Sequence, residues 1–247
     1  MLSHGGRVEQ RTELAGRSVV LTGVGREGQV GEAVARAFAE RGARVFLVAH
    51  QETDARARAE SLLAAGLRAA ALGADLTDAI AVDALAERVR DATAGRVHAL
   101  VHIAGGFAAS GPITESEPSA WAKQFDINVT TAYLAVRAFL PQLRTTRGAI
   151  VLFGSEAALP GARTAGISAY AAAKTALLSF MQSVSQEERE NGVRVNALAP
   201  ASIRTSQNVA DMGPDAVFVT REAVADVVLW LCSDSARAVT GQVVRVR

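Results

Sequence analysis

The chain has 247 residues, 49% hydrophobic and 21% charged, which is enough apolar sequence for a sizeable core and too much for a disordered chain. Its 26 basic and 25 acidic side chains leave a formal net charge of +1, so neither nucleic acid nor an anionic membrane surface is an expected partner. One cysteine, Cys232, excludes an intrachain disulfide and a cysteine-rich zinc site, and its place in an apolar helical pattern predicts a packing role.

No apolar run reaches the roughly 18 residues of a membrane span. The N-terminal MLSHGGRVEQRTELAGR is polar and lacks the apolar region of a secretory signal. A cytoplasmic protein is expected, with a flexible leader over residues 1–12 and one domain over 13–247.

From residue 18 onward, apolar strand-like runs alternate with helical patterns. Strands are expected at 18–22, 44–49, 68–72, 97–103, 148–153, 193–198 and 242–246. Continuous apolar runs predict strands buried on both faces, as in a parallel sheet. After the first strand comes TGVGREGQVG (22–31), then a helix whose apolar residues Val30, Ala33, Val34, Ala37 and Phe38 recur at helical spacing, with Gly42 ending it. No linker or repeat interrupts the series. The fold class is α/β, a Rossmann-type doubly wound parallel sheet of about seven strands with the ligand crevice along its carboxyl edge.

The glycine loop contains G-x-G-x-x-G at Gly23, Gly25 and Gly28, with a further Gly31. Between a strand and a helix, such glycines let backbone approach a pyrophosphate, and the helix N-terminus supplies unpaired N–H groups. Further on, Tyr170 and Lys174 stand four residues apart on one face of a helix reaching to about Glu190. A neighbouring ammonium favours a phenolate, which suits a tyrosine to proton transfer. Ser155 follows the fifth strand and precedes Tyr170 by fifteen residues, so its hydroxyl belongs at a strand end beside the crevice.

Glycine loop, strand-end serine and Tyr-x-x-x-Lys in this order resemble the short-chain dehydrogenase/reductase family over about residues 13 to 246. Asp75 in GADLTD resembles the family's acid near the adenine ring, and Ala104-Gly105 resembles the end of its Asn-Asn-Ala-Gly strand. Asn128 matches an asparagine that supports a proton-relay water. VRVNALAP (193–200) resembles the strand leading to the nicotinamide, with Thr205 where the family contacts the carboxamide. The resemblance implies further cofactor contacts at Thr22, Val30, His50, Leu76, Pro200 and Ile203. It also implies hydride transfer between a nicotinamide and a carbonyl or alcohol carbon. Ser155 would hold the reacting oxygen and Tyr170 would protonate it. Lys174 would hold the ribose and depress the tyrosine pKa, and Asn128 would organise the proton path. No metal is implied, and the four histidines form no ligand cluster.

The chain departs from the family pattern in several places. Gly31 aligns with the last glycine of T-G-x-x-x-G-x-G, making the loop two residues longer and leaving Gly25 and Gly28 extra or displaced. His102 and Ile103 replace two asparagines, and His102 is expected to be held by neighbours, not to act as a base. The Ser-to-Tyr interval is about two residues longer than the commonest one, with Ser168 as the alternative hydroxyl. Ala201 replaces the usual glycine after Pro200, and the chain ends Arg245-Val246-Arg247 without Asp-Gly-Gly.

An acid ending the second strand would bind the adenine ribose and mark NAD. Ala49 stands there, and Arg26 in the loop suits a 2′-phosphate, so NADP(H) is favoured over NAD(H). The lid at about 205–221 is short, with Phe107 on the other rim of the pocket. A small-molecule or carrier-bound ketone or alcohol of 3-oxoacyl or secondary-metabolite type is the expected substrate, handled by a homo-oligomer (dimer or tetramer). The alternatives are a nucleotide-sensing scaffold or a pteridine or enoyl reductase. Retention of Ser155, Tyr170, Lys174 and Asn128 argues against the scaffold, and the Tyr-to-Lys spacing argues against the enoyl reductase.

Overall fold

All seven apolar runs are strands: β1 (Ser18–Thr22), β2 (Arg44–Ala49), β3 (Ala69–Gly73), β4 (Ala99–His102), β5 (Ala149–Phe153), β6 (Arg194–Pro200) and β7 (Val243–Val246). The computed structural model describes residues 13–247, so the leader expected over 1–12 lies outside the described residues. The strands form one parallel sheet in the order β3-β2-β1-β4-β5-β6-β7. The order reverses between β1 and β4, which opens a crevice at the carboxyl edge.

Apolar side chains fill both faces of the sheet, which is why the strand runs are continuous. Val19, Leu21, Val45, Leu47, Val151 and Phe153 pack on one face beneath α1 (Val30–Glu40), α2 (Glu52–Ala64) and α8 (Arg221–Cys232). Val20, Phe46, Val48, Ile150 and Leu152 pack on the other beneath α3 (Ala79–Thr93), α5 (Thr131–Arg144) and α6 (Ser168–Glu187). Each fully buried aliphatic side chain contributes roughly 1.5–3 kcal/mol. The short helices α4 (Pro118–Phe125) and α7 (Ser206–Met212) lie outside these two layers, beside the crevice.

Two expectations shift. In α1 the buried set is Val30, Gly31, Val34, Ala35, Phe38 and Ala39, with Ala33 and Ala37 only half-buried. The helix packs on α8 as well as on the sheet, so a second stripe of small residues is covered. The α6 helix starts at Ser168 and ends at Glu187, short of the expected Glu190, because the chain turns through Asn191-Gly192 into β6. Cys232 is buried in the core, where burial pushes its thiol up to about 12, in keeping with a packing role.

Candidate active site

The carboxyl ends of β1 and β4 meet at the glycine loop. Gly23 has φ +78°, and a Cβ there would lie 2.6 Å from the Ala104 backbone nitrogen, so only glycine fits. A Cβ on Gly31 would lie 3.0 Å from the Gly23 carbonyl oxygen. No side chain caps the N-terminus of α1, and the Val30 and Gly31 N–H groups of its first turn are available to an anion, whereas that of Glu32 donates to the Gln29 carbonyl. The two middle glycines differ. Gly28 has φ +71° and abuts the Ser206 hydroxyl of α7, leaving no room for a Cβ. Gly25 has an ordinary φ, and a Cβ there would meet Ala49 and Asp54 at 3.4 Å, a normal contact. Of the literal G-x-G-x-x-G set, Gly23 and Gly28 adopt a left-handed conformation and Gly25 does not.

At the far end of the crevice, Arg26 and His50 are exposed, while Leu76 is buried. Asp75 accepts hydrogen bonds from the Thr77 backbone N–H (2.9 Å) and hydroxyl (2.6 Å), which hold its carboxyl below the usual range. Asp54, in the first turn of α2, was not singled out from sequence. Its carboxylate comes to 3.9 Å from the Gly25 Cβ position, beside Ala49. Arg58 is committed elsewhere, to Glu27 (3.5 Å) and Glu32 (3.3 Å).

His102, the last residue of β4, is 1% exposed and lies between two hydroxyls. Its Nδ1 is 3.0 Å from Thr22 Oγ1 and its Nε2 is 3.2 Å from Thr131 Oγ1. Thr131 donates its own proton to the Ile127 carbonyl, so it accepts from Nε2–H, and Nδ1 accepts from Thr22. Burial, followed by the Lys174 charge, holds the imidazole pKa down to about 3. It is a neutral strut joining β1, β4 and α5.

Asn128 sits in a π-helical turn, Asp126–Thr130, between α4 and α5. Such turns displace one residue out of the regular ladder. Its amide donates to the Gly106 (2.9 Å) and Gln124 (3.0 Å) carbonyls and accepts from the Gly106 N–H (3.2 Å). A Cβ on Gly105 would lie 2.7 Å from Asn128 Oδ1 and 3.4 Å from Lys174 Nζ, so both side chains close on that residue.

Ser155, Tyr170 and Lys174 line one cavity of about 660 Å³, together with Val30, Gly105, Pro200 and Ile203. Lys174 is 5% exposed and donates to the Phe153 carbonyl at 2.6 Å, and burial lowers it to about 8. The Tyr170 ring packs edge-on against Phe107 at 5.1 Å. Burial raises its pKa, and a hydrogen bond with Ser155 opposes that rise. Ser168 does not line this cavity; its hydroxyl meets that of Ser110 at 3.3 Å.

The segment after β6 closes on itself through a bridge between Ile203 and Val219. Thr205 is buried and caps α7, accepting the Asn208 N–H at 3.1 Å. Of this segment, Ser202, Ile203 and Asn208 face the cavity.

Over residues 23–247 the sequence matches the family described as enoyl-(acyl carrier protein) reductase. It is 33% identical to the 2-(S)-hydroxypropyl-CoM dehydrogenase 3 of Xanthobacter autotrophicus, covering 90% of this chain and 92% of that one. The chain belongs to the short-chain dehydrogenase/reductase family. A further member of similar sequence, the galactitol 2-dehydrogenase of Rhizobium johnstonii, is 32% identical over 96% of both chains. Among solved short-chain reductases, a 3-oxoacyl-[acyl-carrier protein] reductase from Brucella melitensis with bound NAD superimposes with a TM-score of 0.83. It is 31% identical, and the match covers 100% of this chain and 95% of that one.

As a short-chain dehydrogenase/reductase the protein is an oxidoreductase acting on CH–OH and C=O groups. The uncapped helix, the Gly23 cradle and the bracket around Gly105 fit the nicotinamide dinucleotide that the family binds. Lys174 Nζ lies 5.9 Å from the centre of the Tyr170 ring.

Proposed function

We propose that the protein is an NADP(H)-dependent reductase of a ketone of 3-oxoacyl or secondary-metabolite type. The observation that carries this reading is the convergence of Ser155, Tyr170 and Lys174 on one cavity that also reaches Val30 at the start of α1 and the Gly105-Gly106 loop. The bound nicotinamide supplies the hydride. Ser155 holds the carbonyl oxygen, and Tyr170 gives it a proton as negative charge develops. A phenol whose pKa is raised by burial keeps its proton at neutral pH, which suits the reductive direction. Lys174, on α6 and hydrogen-bonded to the end of β5, fixes the cofactor ribose. Asn128 anchors the Gly105-Gly106 loop and borders the proton path.

The preference for NADP(H) rests on Ala49 at the end of β2 and on exposed Arg26, which has no carboxylate partner among the described residues. A second reading, NAD(H), is favoured by Asp54, whose carboxylate beside Gly25 and Ala49 would accept ribose hydroxyls and repel a 2′-phosphate. Fluorescence titration of the wild type, Arg26→Ala and Asp54→Asn with NADPH and NADH decides between them. Tighter NADPH binding that weakens in Arg26→Ala supports the first. Tighter NADH binding that is lost in Asp54→Asn supports the second. Screening ketones against NADPH oxidation tests the reaction itself.

Residues 205–221 serve as the substrate lid in this reading, and the protein works in the cytoplasm on a small or carrier-bound ketone. Exposed Trp121, Tyr133 and Trp230 on α4, α5 and α8 support a homo-oligomer, to be measured by light scattering.

A further inference from the structure

The cavity that holds Ser155 and Tyr170 continues to the last strand. In β7, Val246 lies beside Pro200 and turns into the core, so side-chain alternation puts Arg245 and Arg247 together on the opposite face. Each donates from Nε to the same carboxylate oxygen, Glu156 Oε1, at 2.6 Å. Glu156 directly follows Ser155, and the two guanidinium groups hold its carboxyl below the usual range. Counting side chains, two cations share this one carboxylate. The terminal nitrogens of both arginine forks make no hydrogen bond among the described residues.

The rest of the lining has the same sign. The charged side chains around the cavity are Arg163, Lys174, Arg245 and Arg247 against Glu156 and Asp211, and between them lie Phe107, Leu159, Ile167 and Met212. The cofactor phosphates do not account for this charge. The glycine loop sits over β1, whereas β7 is the strand at the opposite edge, beyond β4, β5 and β6.

We propose that the cavity takes an anionic ketone, an apolar body with a carboxylate that docks on Arg245 and Arg247 while its carbonyl faces Ser155 and Tyr170. The proposal rests on the reductase reading for the second half of that sentence only. A planar guanidinium fork matches a carboxylate in two parallel hydrogen bonds, which a lysine at these positions would not. Glu156 keeps the pair in place between turnovers and competes with the substrate for it.

A purely structural role, in which the arginines clamp the Ser155 turn, predicts opposite effects for one substitution. The test uses the full chain with saturating cofactor and a series of oxo acids centred on 5-oxohexanoate, each paired with its methyl ester. Binding is read by calorimetry and reduction by kcat/KM. The wild type prefers the acid over the ester roughly tenfold, the worth of one charge-assisted hydrogen bond. Arg245→Gln with Arg247→Gln removes that ratio, and Glu156→Gln increases it by ending the competition. No binding of any acid, an acid-to-ester ratio near one, or a ratio that falls in Glu156→Gln overturns the proposal. Acids that bind through the arginines but are not reduced leave the anion site standing and remove the reductase reading. Both ketones reduced without preference do the reverse.

Discussion

Lys174 Nζ donates to the carbonyl oxygen of Phe153 at 2.6 Å, joining α6 to the end of β5 just before Gly154 and Ser155. The position of the ammonium and the direction of the serine turn are therefore set by one contact. Burial holds Lys174 at about 8, so its proton leaves as pH rises through that value. The charged form is the donor, and kcat/KM for ketone reduction is expected to fall above about pH 8. Arginine keeps its charge throughout this range, so Lys174→Arg should abolish that limb of the profile while lowering the overall rate. An unchanged limb in Lys174→Arg would assign it to another group.

Replacing Tyr170 with Phe keeps the ring and its edge contact with Phe107 but removes the proton donor. Turnover should drop on the order of 10²–10⁴-fold. Cofactor affinity should stay within about twofold, measured by fluorescence titration. Turnover at the wild-type rate would exclude Tyr170 as the acid.

His102 makes the fold sensitive to acid. Folded, it titrates at about 3, and unfolded it returns to its ordinary value of 6.5. Between those values the unfolded chain takes up a proton that the folded one refuses, so its contribution to stability falls as pH falls. The contribution is complete above 6.5 and is on the order of a few kcal/mol. Urea unfolding across this window should show a shallower pH dependence for His102→Asn than for the wild type. Equal slopes would mean that the imidazole is already charged in the folded protein.

Gly23 and Gly25 should respond differently to alanine. At Gly23 the new methyl would meet the Ala104 backbone in a left-handed conformation, costing on the order of 1–3 kcal/mol of strain and displacing the loop. Loss of cofactor binding is expected. At Gly25 the methyl finds ordinary contact distances, and binding should change by less than about threefold. Equal losses at both positions would restore the literal glycine pattern.

The strands were legible because each is a short apolar run buried on both faces, and no competing helical pattern overlaps them. That Ser155, Tyr170 and Lys174 share one cavity was legible through their order along the chain. What escaped depends on contacts without any sequence period. Asp54 reaches Gly25 only because α2 begins beside the end of β2. Glu156 finds Arg245 and Arg247 across 89 and 91 residues. The hydroxyl of Thr205 caps a seven-residue helix too short to leave a pattern in the sequence. Nothing in the spacing announces the π turn that carries Asn128.

The placement of β7 has a practical side. Val246 anchors this strand in the core while its two neighbours reach the wall of the cavity. A purification handle or reporter fused after Arg247 would therefore emerge at the rim of the pocket. It would crowd the very ligands being assayed.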